Sequence, residues 1–182
     1  MTGKDDNAIV LDFLPNGYPF DSKLGQRKTP IVQAIGKNSF AILELVPRKD
    51  AALKSGDEIY IGEGKREQIH HVLGRIPLSK LTQTARGELE FVLKDLIDKN
   101  KQKYLDFFNK SGAISTRMHQ LELLPGIGKK HMWEIIERRN EKLFESFEDI
   151  SNRVKLLPNP EKAILKRILA ELNDEDKYKL FT

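Results

Sequence analysis

The apolar positions of this 182-residue chain keep one period up to about residue 80 and another beyond it. In the first stretch they alternate. Ala8–Leu14 (AIVLDFL) sets Ile9, Leu11 and Phe13 on one side, and the apolar runs Ile31–Ile35 and Phe40–Val46 are joined by Gly36-Lys37-Asn38-Ser39. Glu58–Ile61 follows Ser55-Gly56-Asp57, and Gln68–Ile76 follows Gly62-Glu63-Gly64. Runs of period two punctuated by turn residues predict five strands. Strands this short cannot all bury a face in one flat sheet, so a small closed or nearly closed barrel is expected, and strand count alone fits both the oligonucleotide/oligosaccharide-binding and the SH3-like types.

From Thr82 the period becomes 3.6. Leu89, Val92, Leu93, Leu96 and Ile97 form one helical stripe, and Tyr104, Leu105, Phe107 and Phe108 another, which Gly112 is expected to close in the C′ position. Two further stripes predict a helix carrying Met118, Leu121 and Leu124 inward and a second carrying Met132, Ile135, Ile136 and Leu143, with Trp133 in the shared core. Between them lies Leu124-Pro125-Gly126-Ile127-Gly128, followed by Lys129-Lys130. Pro125 has no amide hydrogen with which to continue the first helix. Gly126 and Gly128 allow a tight bend or close approach of another backbone. The next helix starts at the bend, so its free N–H groups and the positive end of its dipole face outward, an arrangement suited to a phosphate.

This stretch resembles a helix-hairpin-helix element, a family that binds the sugar-phosphate backbone of DNA or RNA. The resemblance implies amide donors at Ile127, Gly128 and Lys129, with charge from Lys129 and Lys130. A shift of 33 residues sets Leu121 on Val154, Leu124 on Leu157, Pro125 on Pro158, Met132 on Leu165, Ile135 on Ile168 and Ile136 on Leu169, so the unit is read as duplicated. Ser146 with Asp149 predicts the start of the copy's first helix, and Pro160 suits the first turn of its second. Asn159, Pro160 and Glu161 replace Gly126, Ile127 and Gly128, removing a donor and adding an acid. The copy therefore reads as a packing partner, although Arg153, Lys155, Lys162, Lys166 and Arg167 give it a basic surface.

Composition narrows the class. The 39% hydrophobic and 32% charged residues describe a soluble globular protein, and no apolar run approaches the ~18–20 residues that cross a bilayer. The amino terminus lacks the pattern of a secretory signal. Zero cysteines exclude disulfides and thiolate zinc sites, so a cytoplasmic protein without membrane partners is expected. Net charge is +4, divided evenly between the halves, so bulk charge identifies no ligand. Locally, Lys23, Arg27, Lys28 and Lys37 stand without an acid between Ser22 and Leu43. Lys23, Arg27 and Lys28 are candidate nucleic-acid contacts near the aromatics Tyr18, Phe20 and Tyr60, which could stack bases, although Tyr18 and Phe20 are read first as a loop tucked against the barrel. His70 and His71 on a strand would point to opposite faces and so could not share a metal or a proton. No nucleophile elbow, P-loop or paired catalytic carboxylate is found, so no enzyme, metal or cofactor is expected.

The fold class expected is α+β: a five-stranded barrel of the oligonucleotide-binding type over residues 1–80, then an all-α domain over 81–182. Helix-hairpin-helix elements fall at 116–140 and, degenerate, at 147–172. The order of parts, from Gly56–Gly62 through Ile69–Ile76 to Leu81-Thr82 and Thr84-Ala85, resembles an uncharacterised archaeal family that joins such a barrel to a duplicated helix-hairpin-helix. That resemblance implies nucleic-acid binding, with RNA favoured over DNA because genes of the family often lie near translation and ribosome-maturation genes. A protein-interaction module is the alternative.

Overall fold

The structure, a computed structural model, describes residues 4–19 and 28–182, which form two compact units divided inside a helix at Leu93/Lys94. Leu172–Glu175 and Phe181–Thr182 belong with the first unit, Asp176–Leu180 with the second.

The first unit is one antiparallel sheet of β1 (Asn7–Leu14), β2 (Ile31–Gly36), β3 (Ile42–Pro47), β4 (Glu58–Tyr60) and β5 (Ile69–Arg75), in the order β4-β1-β2-β3-β5. All five expected strands form. They curl into a half-barrel rather than a closed barrel, because β4 is three residues long and pairs only with β1. Ala8, Val10, Val32, Ala34, Leu45 and Ile59 are among the residues that make its core. The ladder slips between Val10 and Asp12, so Phe13 packs against the same cluster as Ala8 and Val10. A β-bulge breaks strict alternation, which is why reading every second residue placed Phe13 with Ile9 and Leu11. At the β2–β3 turn the Asp5 carboxylate accepts the Asn38 amide at 2.7 Å and the Ser39 amide at 3.2 Å. The turn then closes through Phe40, buried at φ +55.

Helix α1 (Gln83–Lys99) starts on this sheet. Thr82 Oγ1 accepts the Ala85 amide at 3.0 Å and donates to Asp12 at 2.6 Å, while fully buried Gln33 accepts the Thr82 amide and donates to the Lys80 carbonyl. The stripe Leu89, Val92, Leu93, Leu96 and Ile97 is buried as its spacing requires.

The second unit holds α2 (Lys101–Lys110), a two-stranded ribbon of β6 (Ala113–Ser115) and β7 (Met118–His119), a 3-10 turn (Gln120–Leu123), α3 (Lys129–Glu141), α4 (Phe147–Arg153) and α5 (Pro160–Leu172). Tyr104, Leu105 and Phe108 bury the inner face of α2. Gly112 does not take a left-handed C′ conformation; its amide donates to the Gln120 side chain and its carbonyl accepts the Gln120 amide, starting the ribbon.

The expected first helix of the 116–140 element is absent. Ile114, Ser115 and Thr116 favour extended or turn backbone over helix, and only a 3-10 turn fits before Pro125. His119 caps that turn. Its Nδ1 accepts the Leu121 amide at 3.1 Å, and Glu122 returns a carboxylate to the His119 amide at 2.8 Å, a capping box with histidine in the usual Ser/Thr place. Leu121 and Leu124 are buried, but Met118 on β7 is exposed. Leu143 is also exposed, because α3 ends at Glu141 and Lys142 is extended. Trp133, expected in the core, is 64% exposed.

Three of the aligned apolar pairs are buried at both positions. Leu121 and Val154, Met132 and Leu165, and Ile135 and Ile168 are all buried, and α3 and α5 have equal length. Arg167 of α5 is buried, not part of a basic face. It pairs with Glu171 at 2.9 Å and Asp176 at 2.7 Å and donates to the Leu123 carbonyl at 3.2 Å, tying α5 to the 3-10 turn. Arg153 is similarly committed, to Asp149 and to the Arg138 and Lys142 carbonyls. Among the described residues, no helix is long and apolar enough to cross a membrane.

Candidate nucleic-acid interface

The bend at 124–128 has two glycines in different roles. Gly126 sits at φ +82, a conformation L side chains rarely adopt, and a Cβ there would lie 2.8 Å from Cγ of Pro158. It is needed for both backbone freedom and the close approach of Pro158. Gly128 is the N-cap of α3 in extended conformation (φ −95, ψ −171), with nothing within 4 Å of a Cβ. Any residue could stand there. What glycine omits is a side-chain cap.

That omission leaves the helix end open. The first turn of an α-helix has four N–H groups without intrahelical acceptors. Here the Met132 amide makes the first bond, to the Gly128 carbonyl at 2.9 Å. The amides of Gly128, Lys129, Lys130 and His131 meet no acceptor among the described residues. The Ile127 amide is not one of the open donors. It bonds the Leu124 carbonyl at 3.1 Å, closing the turn, and the Ile127 side chain is buried. Of the three expected donors, Gly128 and Lys129 are therefore open and Ile127 is not, while Lys130 and His131 join the open set.

Lys129 and Lys130 are exposed beside these amides. Lys129 reaches back to the Arg117 carbonyl at 3.4 Å, and Arg117, exposed at the tip of the β6–β7 ribbon, adds a third cation that sequence reasoning missed because the ribbon was read as helix. The starts of α4 and α5 are capped by side chains, whereas α2, like α3, starts without a side-chain cap. Ser146 accepts the Asp149 amide at 2.9 Å at the start of α4. Asn159 accepts the Lys162 amide at 3.0 Å at the start of α5, where Pro160 offers no hydrogen and Glu161 adds negative charge.

In the first unit, Lys23, Arg27 and Phe20 lie outside the described residues. Lys28 is exposed. Tyr18 is tied to the sheet, as the tucked-loop reading expects: its hydroxyl donates to Glu44 at 2.6 Å and accepts from Gln33 at 2.9 Å. Tyr60, 39% exposed, borders a cleft of about 540 Å³ at the open side of the half-barrel. Lys4, Arg66 and Arg75 on that cleft are matched by Asp5, Asp6 and Glu63, so it has no net charge to draw a polyanion. His70 and His71 do not point apart. The β3–β5 ladder slips between Val46 and Pro47, which brings the two Nδ1 atoms to 2.7 Å, one donating to the other on the solvent side.

A family described as "Protein of unknown function (DUF655)" matches residues 4–182. "Uncharacterized protein MJ0038" of Methanocaldococcus jannaschii is 43% identical over 179 residues, 97% of this chain and 79% of the relative. The crystal structure of Af1531 from Archaeoglobus fulgidus, of the same family, is similar with a TM-score of 0.88 at 46% identity, covering 98% of this chain and 99% of that one.

Proposed function

This chain belongs to the archaeal DUF655 family, and we propose that it is a non-catalytic nucleic-acid-binding protein that holds backbone phosphates at the amino terminus of α3. In this reading the half-barrel is an open relative of the oligonucleotide-binding barrels, and residues 116–172 are a tandem helix-hairpin-helix whose first helix is reduced to a 3-10 turn. The carrying observation is the open end of α3: four donors with no acceptor among the described residues, beside Lys129, Lys130 and Arg117. Anions are favoured there by the donors and the dipole together. RNA is preferred to DNA on the family resemblance, and a place in translation or ribosome maturation follows from the same source.

Binding of dye-labelled RNA and DNA, followed by anisotropy across a salt series, tests the reading. Affinity should fall linearly in log–log form, and replacing Lys129 and Lys130 together by Gln should lower the slope by about 1.4 for a single strand, two contacts at ~0.7 each. An unchanged slope rejects the assignment. A protein-docking role has its own support in Leu156, 92% exposed at φ +59, on a bend held to α3 by the Lys155 amide and Glu134. A partner retained after ribonuclease treatment would favour that role.

A further inference from the structure

Building on the phosphate reading above, we infer that Trp133 is a stacking platform for an unpaired base, so that this site takes single-stranded nucleic acid in preference to duplex. The indole is 64% exposed and has no ring partner among the described residues. It lies four residues after Lys129 and three after Lys130, on the same face of α3. Long side chains on a helix lean toward its amino end, so the indole inclines over the turn that carries both lysines and the open amides. From Lys129 to Trp133 the helix rises about 6 Å, four residues at 1.5 Å each, so anion site and aromatic face are neighbours.

The chemistry selects the occupant. Lysine ammonium groups and helix-end amides only donate, so this end of the surface wants an anion, and the indole beside it wants a flat apolar face. A nucleotide supplies both within one covalent unit. In a duplex the base faces are already stacked; in a single strand they are free to meet an aromatic side chain. Glu137, exposed four residues after Trp133, puts an acid beyond the indole. The strand should therefore leave over the amino end of α3 rather than run along it.

Trp133 is the chain's single tryptophan, so its emission reports the contact directly. Three probes are titrated into the intact protein: a short dye-labelled single-stranded RNA, the same RNA annealed to its complement, and inorganic polyphosphate. The single strand should quench Trp133 emission as it binds, and the other two should bind without comparable quenching. Trp133→Leu should weaken the single strand at least about fivefold and leave polyphosphate unchanged, with Trp133→Phe intermediate. Its exposed position makes Trp133→Leu a fold-neutral change, verified by an unchanged melting curve.

Single-strand binding seen by anisotropy with no change in emission, together with full affinity of Trp133→Leu, overturns the stacking role and leaves the phosphate site standing. Equal losses for strand and duplex also overturn it. No binding of any probe removes both readings. A ribonuclease-resistant protein partner lost in Trp133→Leu, with strand affinity intact, assigns the indole to protein docking instead.

Discussion

Gly128→Asp separates a helix end kept open for a ligand from one that is merely uncapped. The backbone at Gly128 is extended and a Cβ there meets nothing, so the substitution adds no strain. Aspartate is a preferred N-cap, and its carboxylate would accept one of the open amides, a gain over glycine of a few tenths of a kcal/mol. Its charge at the positive end of the dipole adds about 0.3–1 kcal/mol. The variant should therefore be more stable by about 0.5–1.4 kcal/mol, or about 1–6 °C in Tm for a chain of this size. For a phosphate docked at the same amides the sign reverses. Two unit charges about 4 Å apart repel by ~1 kcal/mol in water and ~4 kcal/mol at an effective dielectric of about 20, which is about fivefold to about a thousandfold in affinity. Thermal melting and low-salt anisotropy on the same samples read both quantities. Gly128→Asn supplies the cap without the charge and should fall between. A variant that melts higher yet binds RNA as well as the parent would refute the placement of phosphate at α3, and one that melts lower would refute the open helix end itself.

Gly126→Ala should behave oppositely to changes at Gly128, losing about 1–3 kcal/mol of stability through positive φ and the approach to Pro158, as read by denaturant melts. His119 should give a pH signature. Burial, then the charge of Arg139, hold its imidazole below the ordinary value of 6.5, with Glu122 acting the other way. The unfolded chain therefore takes up the proton first. Stability is full above about pH 6.5, falls by at most about 1.4 kcal/mol per pH unit as pH drops, and stops falling below the folded value. Melts from about pH 7 to about pH 5, above the range of ordinary carboxylates, should show this slope in the parent and not in His119→Asn; equal slopes would discount the capping role.

The parts legible from sequence are those with a sustained period. Five strands and the stripes of α1, α2, α3 and α5 follow from repeated apolar positions, because burial on one side of a regular element enforces a regular spacing. The helix starts at Ser146 and Pro160 were legible because their chemistry is local. What failed lay where one residue breaks a period. A bulge moved Phe13 to the other side of β1, and another brought His70 and His71 together; neither has a residue signature distinct from its neighbours. Residues 118–124 have helical spacing, yet a His119–Glu122 box and Pro125 leave room for only a single 3-10 turn. That box has the S/T-x-x-E spacing with histidine in first place, a signal that could have been read. Trp133 went astray for a simpler reason: size and apolarity argue for burial, yet folded proteins leave many apolar side chains on their surface.

The half-barrel ends in two outer strands, and outer strands ordinarily invite copies of a protein to polymerise by borrowing each other's unpaired main-chain groups. Here one border offers only Glu58, Ile59 and Tyr60, too brief a stretch to recruit a neighbour. The other is irregular, its spacing interrupted at two points, between Glu44 and Leu45 and between Val46 and Pro47 on its partner, so an incoming straight strand would lose step within a few residues. The slip that pairs the two histidines thus also guards the molecule against fibre growth.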